Sequence, residues 1–290
     1  MKTAVLLLPL LSLALLAGCS KTEEPAKPKV ASESAAPAGY LEKIKARDKL
    51  IVGVFTDKPP FGFVDESGRY VGFDTDIGRR FAKDLLGDEN KVEFVAVEPA
   101  SRIPFLQSDK VDLILANMTV TPERKEAVEF TNPNLKVAVQ ALVPQGSSVK
   151  KLDDLATRTT IVTTGTTADI WLTKTHPDWK LLKFEKNSES LQALANGRGD
   201  AYAQDNLVLF SWAKQNPGYR VLEEKLGAEA PIAPAVKKGN TELRDWVNSE
   251  LAKLGEEKYL LKLYDQYVRK ELSDDTRPES VIVEGGKWQG

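Results

Sequence analysis

Between Tyr40 and Lys270 short apolar runs alternate with stretches of helical period, and this alternation limits the possible folds more than any other feature of the chain. Lys49–Phe55 (KLIVGVF), Val92–Val97, Val111–Ala116, Val137–Val143 and Thr159–Thr163 read as strands, as do the shorter Tyr70–Phe73, Ala201–Gln204 and Ile232–Val236. From Asp74 a helix is expected, because Ile77, Phe81 and Leu85 recur at i, i+4 and i+8. Ser190–Ala195 reads as helix stopped at Asn196-Gly197, Asn206–Lys214 as helix, and Thr241–Lys270 as mostly amphipathic helix. Strands separated by helices imply an α/β fold with mainly parallel sheets. About 250 such residues fit two modest domains or one large one, and no internal repeat is visible.

Three of the strands end alike. Val111–Ala116 runs into Asn117-Met118-Thr119 and a helix opened by Thr121 and Pro122. Thr159–Thr163 runs into Thr164-Gly165-Thr166-Thr167 and a helix near Ala168, and Ala201–Gln204 runs into Asp205 and the helix at Asn206. Open α/β sheets bind ligands beyond the carboxyl ends of their strands, where helix N-termini favour anions. Hydroxyls, one cation and one carboxylate converge there, a complement for a small zwitterion. Arg124 is the anomaly: a cation in a first helical turn opposes the positive end of the helix dipole, unlike its neighbour Glu123. Local rules are broken most often at functional sites, although a single surface arginine can simply lean away into solvent.

The N-terminus predicts a compartment. Lys2, an apolar run from Ala4 to Leu16 and then Leu16-Ala17-Gly18-Cys19 read as a cleavable secretory signal over 1–18, too short to span a membrane. The last four residues resemble the lipobox of bacterial lipoproteins, in which the cysteine carries lipid. Cys19 is the only cysteine, so an intramolecular disulfide and a zinc-thiolate cluster are excluded. Residues 19–39 are rich in Lys, Glu, Ala, Ser and Pro and cannot bury a core, so they read as a lipid-anchored flexible tether. Such a tether reaches roughly 25 Å from the membrane.

Other chemistry is poorly represented. With 40 basic and 42 acidic residues and no long basic run, no nucleic-acid footprint is evident. His176 is the only histidine and lacks partners for a metal cluster, no phosphate loop is present, and neither a metal nor a cofactor is expected. Arg198-Gly199-Asp200 reads as a helix-to-strand turn, and Asn117-Met118-Thr119 matches a glycosylation sequon by composition only.

The stretch Gly68–Leu85 (GRYVGFDTDIGRRFAKDL) contains Gly72-Phe73-Asp74-Thr75-Asp76-Ile77, which resembles the signature of family 3 extracytoplasmic solute-binding proteins, the polar amino acid receptors of ABC importers. It departs from the pattern at Phe81, where a smaller aliphatic is usual. The likeness continues through DKPPFGFVD, VDLILANMTVTPERKEAVEF, TTGTTAD and GDAYAQDN and covers nearly all of Leu41–Lys270. It implies an α/β, two-lobed type II periplasmic-binding-protein fold. Lobe 1 would be 40–135 plus 233–270 and lobe 2 would be 140–230. The crossings would lie near Leu135–Val139 and Ala230–Pro234, and 271–290 would be a C-terminal tail.

By the same resemblance Arg124 clamps the ligand α-carboxylate with Thr119 and the loop at Asn117. Thr166 and Thr167 donate from the other lobe, and Asp205 receives the α-ammonium. Phe61 either covers the aliphatic part of the ligand or is purely structural. Lys58 and Arg102 correspond to cations that engage a side-chain carboxylate in acidic-amino-acid receptors. LLGDENKVEFV and VEGGK look closest to the cysteine-binding branch, which also carries an arginine at the Arg102 position. The ligand class implied is a free amino acid, cysteine or cystine or another small polar one, with Glu or Asp the alternative. The implied partners are an ABC transporter permease and, through Cys19, the membrane. A monomer in the periplasm or at the cell surface is expected. The rival readings are a periplasmic dehydratase on the same fold, in which an ammonium-binding Asp would be unnecessary, and an adhesin or sensor domain, which gives no reason for an intact clamp.

Overall fold

A computed structural model describes residues 39–273 and 276–288. The signal sequence, Cys19 and the tether up to residue 38 lie outside the described residues. The chain adopts the expected two-lobed α/β architecture.

The described residues open with α1 (Tyr40–Arg47), β1 (Leu50–Val54), a small antiparallel sheet of β2 (Asp57–Lys58), β3 (Gly62–Val64) and β4 (Tyr70–Val71), and α2 (Phe73–Leu86). Gly72 precedes α2 at φ +124, and a Cβ there would stand 2.3 Å from the Phe61 carbonyl oxygen, so only glycine lets the chain turn into this helix. Asp74 and Asp76 complement its positive end, and Gly87 closes it in the left-handed conformation. Then follow β5 (Val92–Ala96), α3 (Arg102–Gln107), β6 (Leu113–Ile114), α4 (Pro122–Ala127) and β7 (Val128–Phe130).

The chain crosses over in β8 (Leu135–Val137) and enters the second lobe with β9 (Val139–Pro144). That lobe continues with β10 (Thr159–Thr163), α5 (Thr167–Thr175), β11 (Lys180–Phe184), α6 (Asn187–Ala195), β12 (Ala201–Asp205), α7 (Asn206–Gln215) and β13 (Tyr219–Val221). The return runs through β14 (Ala230–Ile232) and β15 (Ala235–Lys237) to α8 (Thr241–Glu256) and α9 (Tyr259–Leu263).

The two main sheets run in the orders β5-β1-β6-β15-β7 and β11-β10-β12-β9-β13. Each is half parallel and half antiparallel, which corrects the mainly parallel expectation. Chain that crosses between lobes must enter and leave each sheet at one end, so β9 and β15 run against their neighbours. The same crossing splits two runs that read as single strands. Val137–Val143 divides around Ala138 into β8 and β9, and Ile232–Val236 divides at Ala233-Pro234 into β14 and β15. β8 and β14 pair antiparallel as the hinge, Leu135 opposite Ile232. Lys258, at φ 52, breaks the long C-terminal helix between α8 and α9.

Apolar side chains fill both faces of each sheet, as buried parallel strands require. Phe61, Phe73, Ile77 and Leu115 lie in one cluster of lobe 1, and Phe55, Ile114 and Met118 lie in another. The described stretch 276–288 packs against the hinge region. Lys136 N donates to Val281 O at 2.9 Å, Val283 N donates to Asn134 O at 3.0 Å, and Ile282 is buried against the hinge.

Candidate functional site

The loop after β6 is shaped by Asn117, whose φ of 43 turns its N–H onto Asp74 Oδ2 at 3.0 Å. Its side-chain Nδ2 crosses to lobe 2 and donates to Asp205 Oδ2 at 2.8 Å. A bridge between Thr119 and Ile232 ties the same loop to the hinge. Thr121 caps α4, its hydroxyl accepting the Arg124 N–H at 3.2 Å with Pro122 next in the chain. The Arg124 side chain does not lean into solvent but is 5% exposed. Its Nη1 donates to Thr119 O at 2.8 Å and approaches Thr167 Oγ1 at 3.5 Å, and its Nη2 donates to Gly165 O at 3.0 Å.

Lobe 2 presents the opposite wall. Thr166 is the N-cap of α5: its hydroxyl donates to Thr163 O at 2.7 Å and accepts from Asp169 N at 3.3 Å, so this side chain is spent on the helix. Thr167 instead turns its hydroxyl to the other lobe and donates to Thr119 Oγ1 at 2.9 Å. Asp205, the last residue of β12, receives Lys58 Nζ at 3.3 Å as well as Asn117. Its own N–H donates to Gln204 Oε1 at 3.0 Å.

The electrostatics are lopsided. Lys58, Arg102 and Arg124 are all buried, and Lys58 with Asp205 is the ion pair found for them among the described residues. Burial lowers the pKa of Lys58, with Asp205 opposing, and lowers that of Arg124. Burial and the neighbouring Arg124 pull Arg102 well down. Arg102 spends its donors on main-chain oxygens, those of Pro99 and Ala116 at 3.0 Å, Asn117 at 3.3 Å and Gly165 at 3.4 Å. Burial pushes the Asp74 carboxyl up to about 6 against the pull of the Asn117 N–H and Lys58.

Lys58, Arg102, Asn117, Thr119, Arg124, Thr167 and Asp205 are thus brought together where the lobes meet. Phe61 is not drawn into this set, since it is fully buried in the lobe 1 cluster with Phe73 and Ile77. The ring beside the cations is Phe55, its centroid 5.1 Å from Lys58 Nζ and 5.6 Å from the centre of the Arg102 guanidinium. Sequence reasoning missed Phe55, Asp74 as a partner of the Asn117 loop, the Gly165 carbonyl, and Trp171. Trp171 lines a cavity of about 110 Å³ with Thr119, Val139, Thr167, Asp205 and Leu226. Among the described residues no group of three or more His, Cys, Asp or Glu side chains is placed to hold a metal ion.

Residues 50–270 match the bacterial extracellular solute-binding proteins, family 3. The glutamine-binding protein of Geobacillus stearothermophilus is 41% identical over 231 residues, 77% of this chain and 87% of that one. Among solved structures, the cysteine-binding protein from Campylobacter jejuni superposes with a TM-score of 0.84 at 44% identity, covering 85% of this chain and 100% of that one. The solute receptor for L-cysteine of Neisseria gonorrhoeae gives 0.82 at 45% identity, with 84% and 99% covered. These relatives are solute-binding proteins and not enzymes. By a match that takes in both lobes and the hinge, the chain belongs to the bacterial extracellular solute-binding proteins of family 3.

Proposed function

We propose that this receptor binds a free amino acid between its lobes and delivers it to the permease of an ABC importer, and that the amino acid is small and neutral, with cysteine the first choice. The observation that carries the reading is Arg124, a nearly fully buried guanidinium whose protein acceptors are all neutral oxygens. A buried cation is stable when an anion pairs with it, and a planar guanidinium suits a carboxylate. Across the cleft, Asp205 Oδ1 takes none of the bonds that Oδ2 receives, and it suits an ammonium. Lobe 1 as 40–135 plus 233–270 and lobe 2 as 140–230 then close on the zwitterion.

The side chain of the ligand is argued from Arg102. Its donors are engaged by four main-chain oxygens, which supports a bracing role over pairing with a ligand side-chain carboxylate. The cysteine-binding structures support cysteine, and the glutamine-binding relative makes glutamine the second reading. Calorimetry with L-cysteine, L-glutamine, L-glutamate and L-aspartate tests this. Cysteine should bind tightest, and tight glutamate or aspartate binding without measurable cysteine binding would sink the assignment.

We further propose that the mature protein is a monomer held at the membrane by lipid on Cys19. Mass spectrometry of the membrane-extracted chain should show a lipid-modified N-terminal cysteine; an unmodified Cys19 there removes the anchor.

A further inference from the structure

Helix α6 starts without a cap from its own lobe. The residue before it, Lys186, is extended and supplies no side-chain oxygen to the first turn. The missing acceptor comes from lobe 1. Asp57, on β2, places Oδ2 2.9 Å from the Ser188 N–H and Oδ1 3.4 Å from Asn187 Nδ2. An N-terminal carboxylate both satisfies an orphan N–H and meets the positive end of the helix dipole.

Asn187 carries this contact inward. It is fully buried, and its Oδ1 accepts from Gln204 Nε2 at 2.8 Å and from the Tyr202 hydroxyl at 3.2 Å. Gln204 Oε1 in turn accepts the Asp205 N–H at 3.0 Å. Lys58, the next residue after Asp57, pairs with the Asp205 carboxylate from the other side. A two-residue strand of lobe 1 therefore grips lobe 2 at the helix start and at the candidate ammonium site, and one chain of hydrogen bonds joins the two grips.

We propose that Asp57 is a closure-positioning residue: it caps α6 from the opposite lobe only when the lobes are together, and so sets ligand affinity and residence without contacting the ligand. This rests on the reading of the cleft as an amino-acid site. A helix cap of this kind is worth roughly 2- to 30-fold in an equilibrium constant.

The test is dissociation kinetics and calorimetry with L-cysteine and L-glutamine on wild type, Asp57→Ala and Asp57→Asn. Asp57→Ala should weaken binding by roughly 2- to 30-fold through faster dissociation, with ligand-free thermal unfolding unchanged. Asn is as good a cap as Asp, so Asp57→Asn should recover most of the loss. Wild-type affinity in Asp57→Ala, or a loss that Asp57→Asn does not recover, would overturn the latch. A wild-type protein that binds neither amino acid strikes instead at the reading of the cleft.

Discussion

The two walls of the cleft are built from different materials. Lobe 1 contributes buried charges: Lys58, Asp74, Arg102 and Arg124 are each at most 5% exposed. Lobe 2 contributes a neutral network in which Thr163 bonds Ser190 and Tyr202, and Tyr202 and Gln204 both reach Asn187, with Asp205 a charge at its edge. A satisfied neutral network holds its shape whatever lies opposite. Buried cations answered only by carbonyls and hydroxyls, as Arg102 and Arg124 are, gain most when an anion arrives. On the proposed reading, lobe 2 is thus a preset seat for Asp205 and Thr167, and lobe 1 is the half whose energy would respond to the ligand.

The sharpest way to break this contrast is to remove one polar group from each wall. Arg124→Ala should cost about 2–5 kcal/mol of binding, some 30- to 3,000-fold in Kd. Thr167→Val, which removes a neutral hydrogen bond from lobe 2, should cost only about 0.5–1.5 kcal/mol. Equal losses by calorimetry would dissolve the distinction.

Asp74 tests the cost of lobe 1 charge without ligand. Its carboxyl titrates near 6 when folded and near 3.8 as the ordinary value, so between these pH values the folded chain holds a proton that the unfolded chain releases. That contribution to stability is full below the unfolded pKa and is lost as pH rises through the folded one. Wild type should therefore lose about 2.5 kcal/mol relative to Asp74→Asn between pH 4 and pH 7. Parallel stability curves for the two proteins in denaturant titrations would mean that lobe 1 carries no such burden.

The last test is a steric one. Gly165 has φ +77, and a Cβ there would stand 2.8 Å from Ala100 Cα of lobe 1. Gly165→Ala should weaken binding by about 1–3 kcal/mol, because part of its clash exists only where the lobes touch. If the loss of affinity is no more than the loss of ligand-free stability, that clash is absorbed within lobe 2.

Much of this site was legible because chemistry-bearing residues sit where strands end and helices begin. Arg124 stood out by opposing its helix dipole, and Asp205 by following a short apolar strand. Phe55, Asp57 and Asp74 were not legible, since a strand end, a hairpin residue and a first-turn acid acquire their roles only from what the other lobe or a distant loop brings to them. Thr166 could have been placed correctly: Thr166 and Asp169 have the spacing of a capping pair, and Asp169 Oδ2 accepts the Gly165 N–H at 2.9 Å. Periodicity alone left the hinge inside apolar runs, because hydrophobicity records burial and not which sheet does the burying, and the crossings near Leu135–Val139 and Ala230–Pro234 came from the family resemblance alone. Val281-Ile282-Val283 was the available sign that the last segment is docked.

The two buried arginines of lobe 1, Arg102 and Arg124, end on the same atom of lobe 2, the main-chain oxygen of Gly165. That atom belongs to the polymer rather than to any side chain, so no substitution can delete it. Thr119, Thr167 and Trp171 can therefore be exchanged in a search for new specificities while the acceptor that receives both guanidinium groups persists. What such a receptor recognises is open to revision; the grammar by which its halves recognise each other is written in backbone.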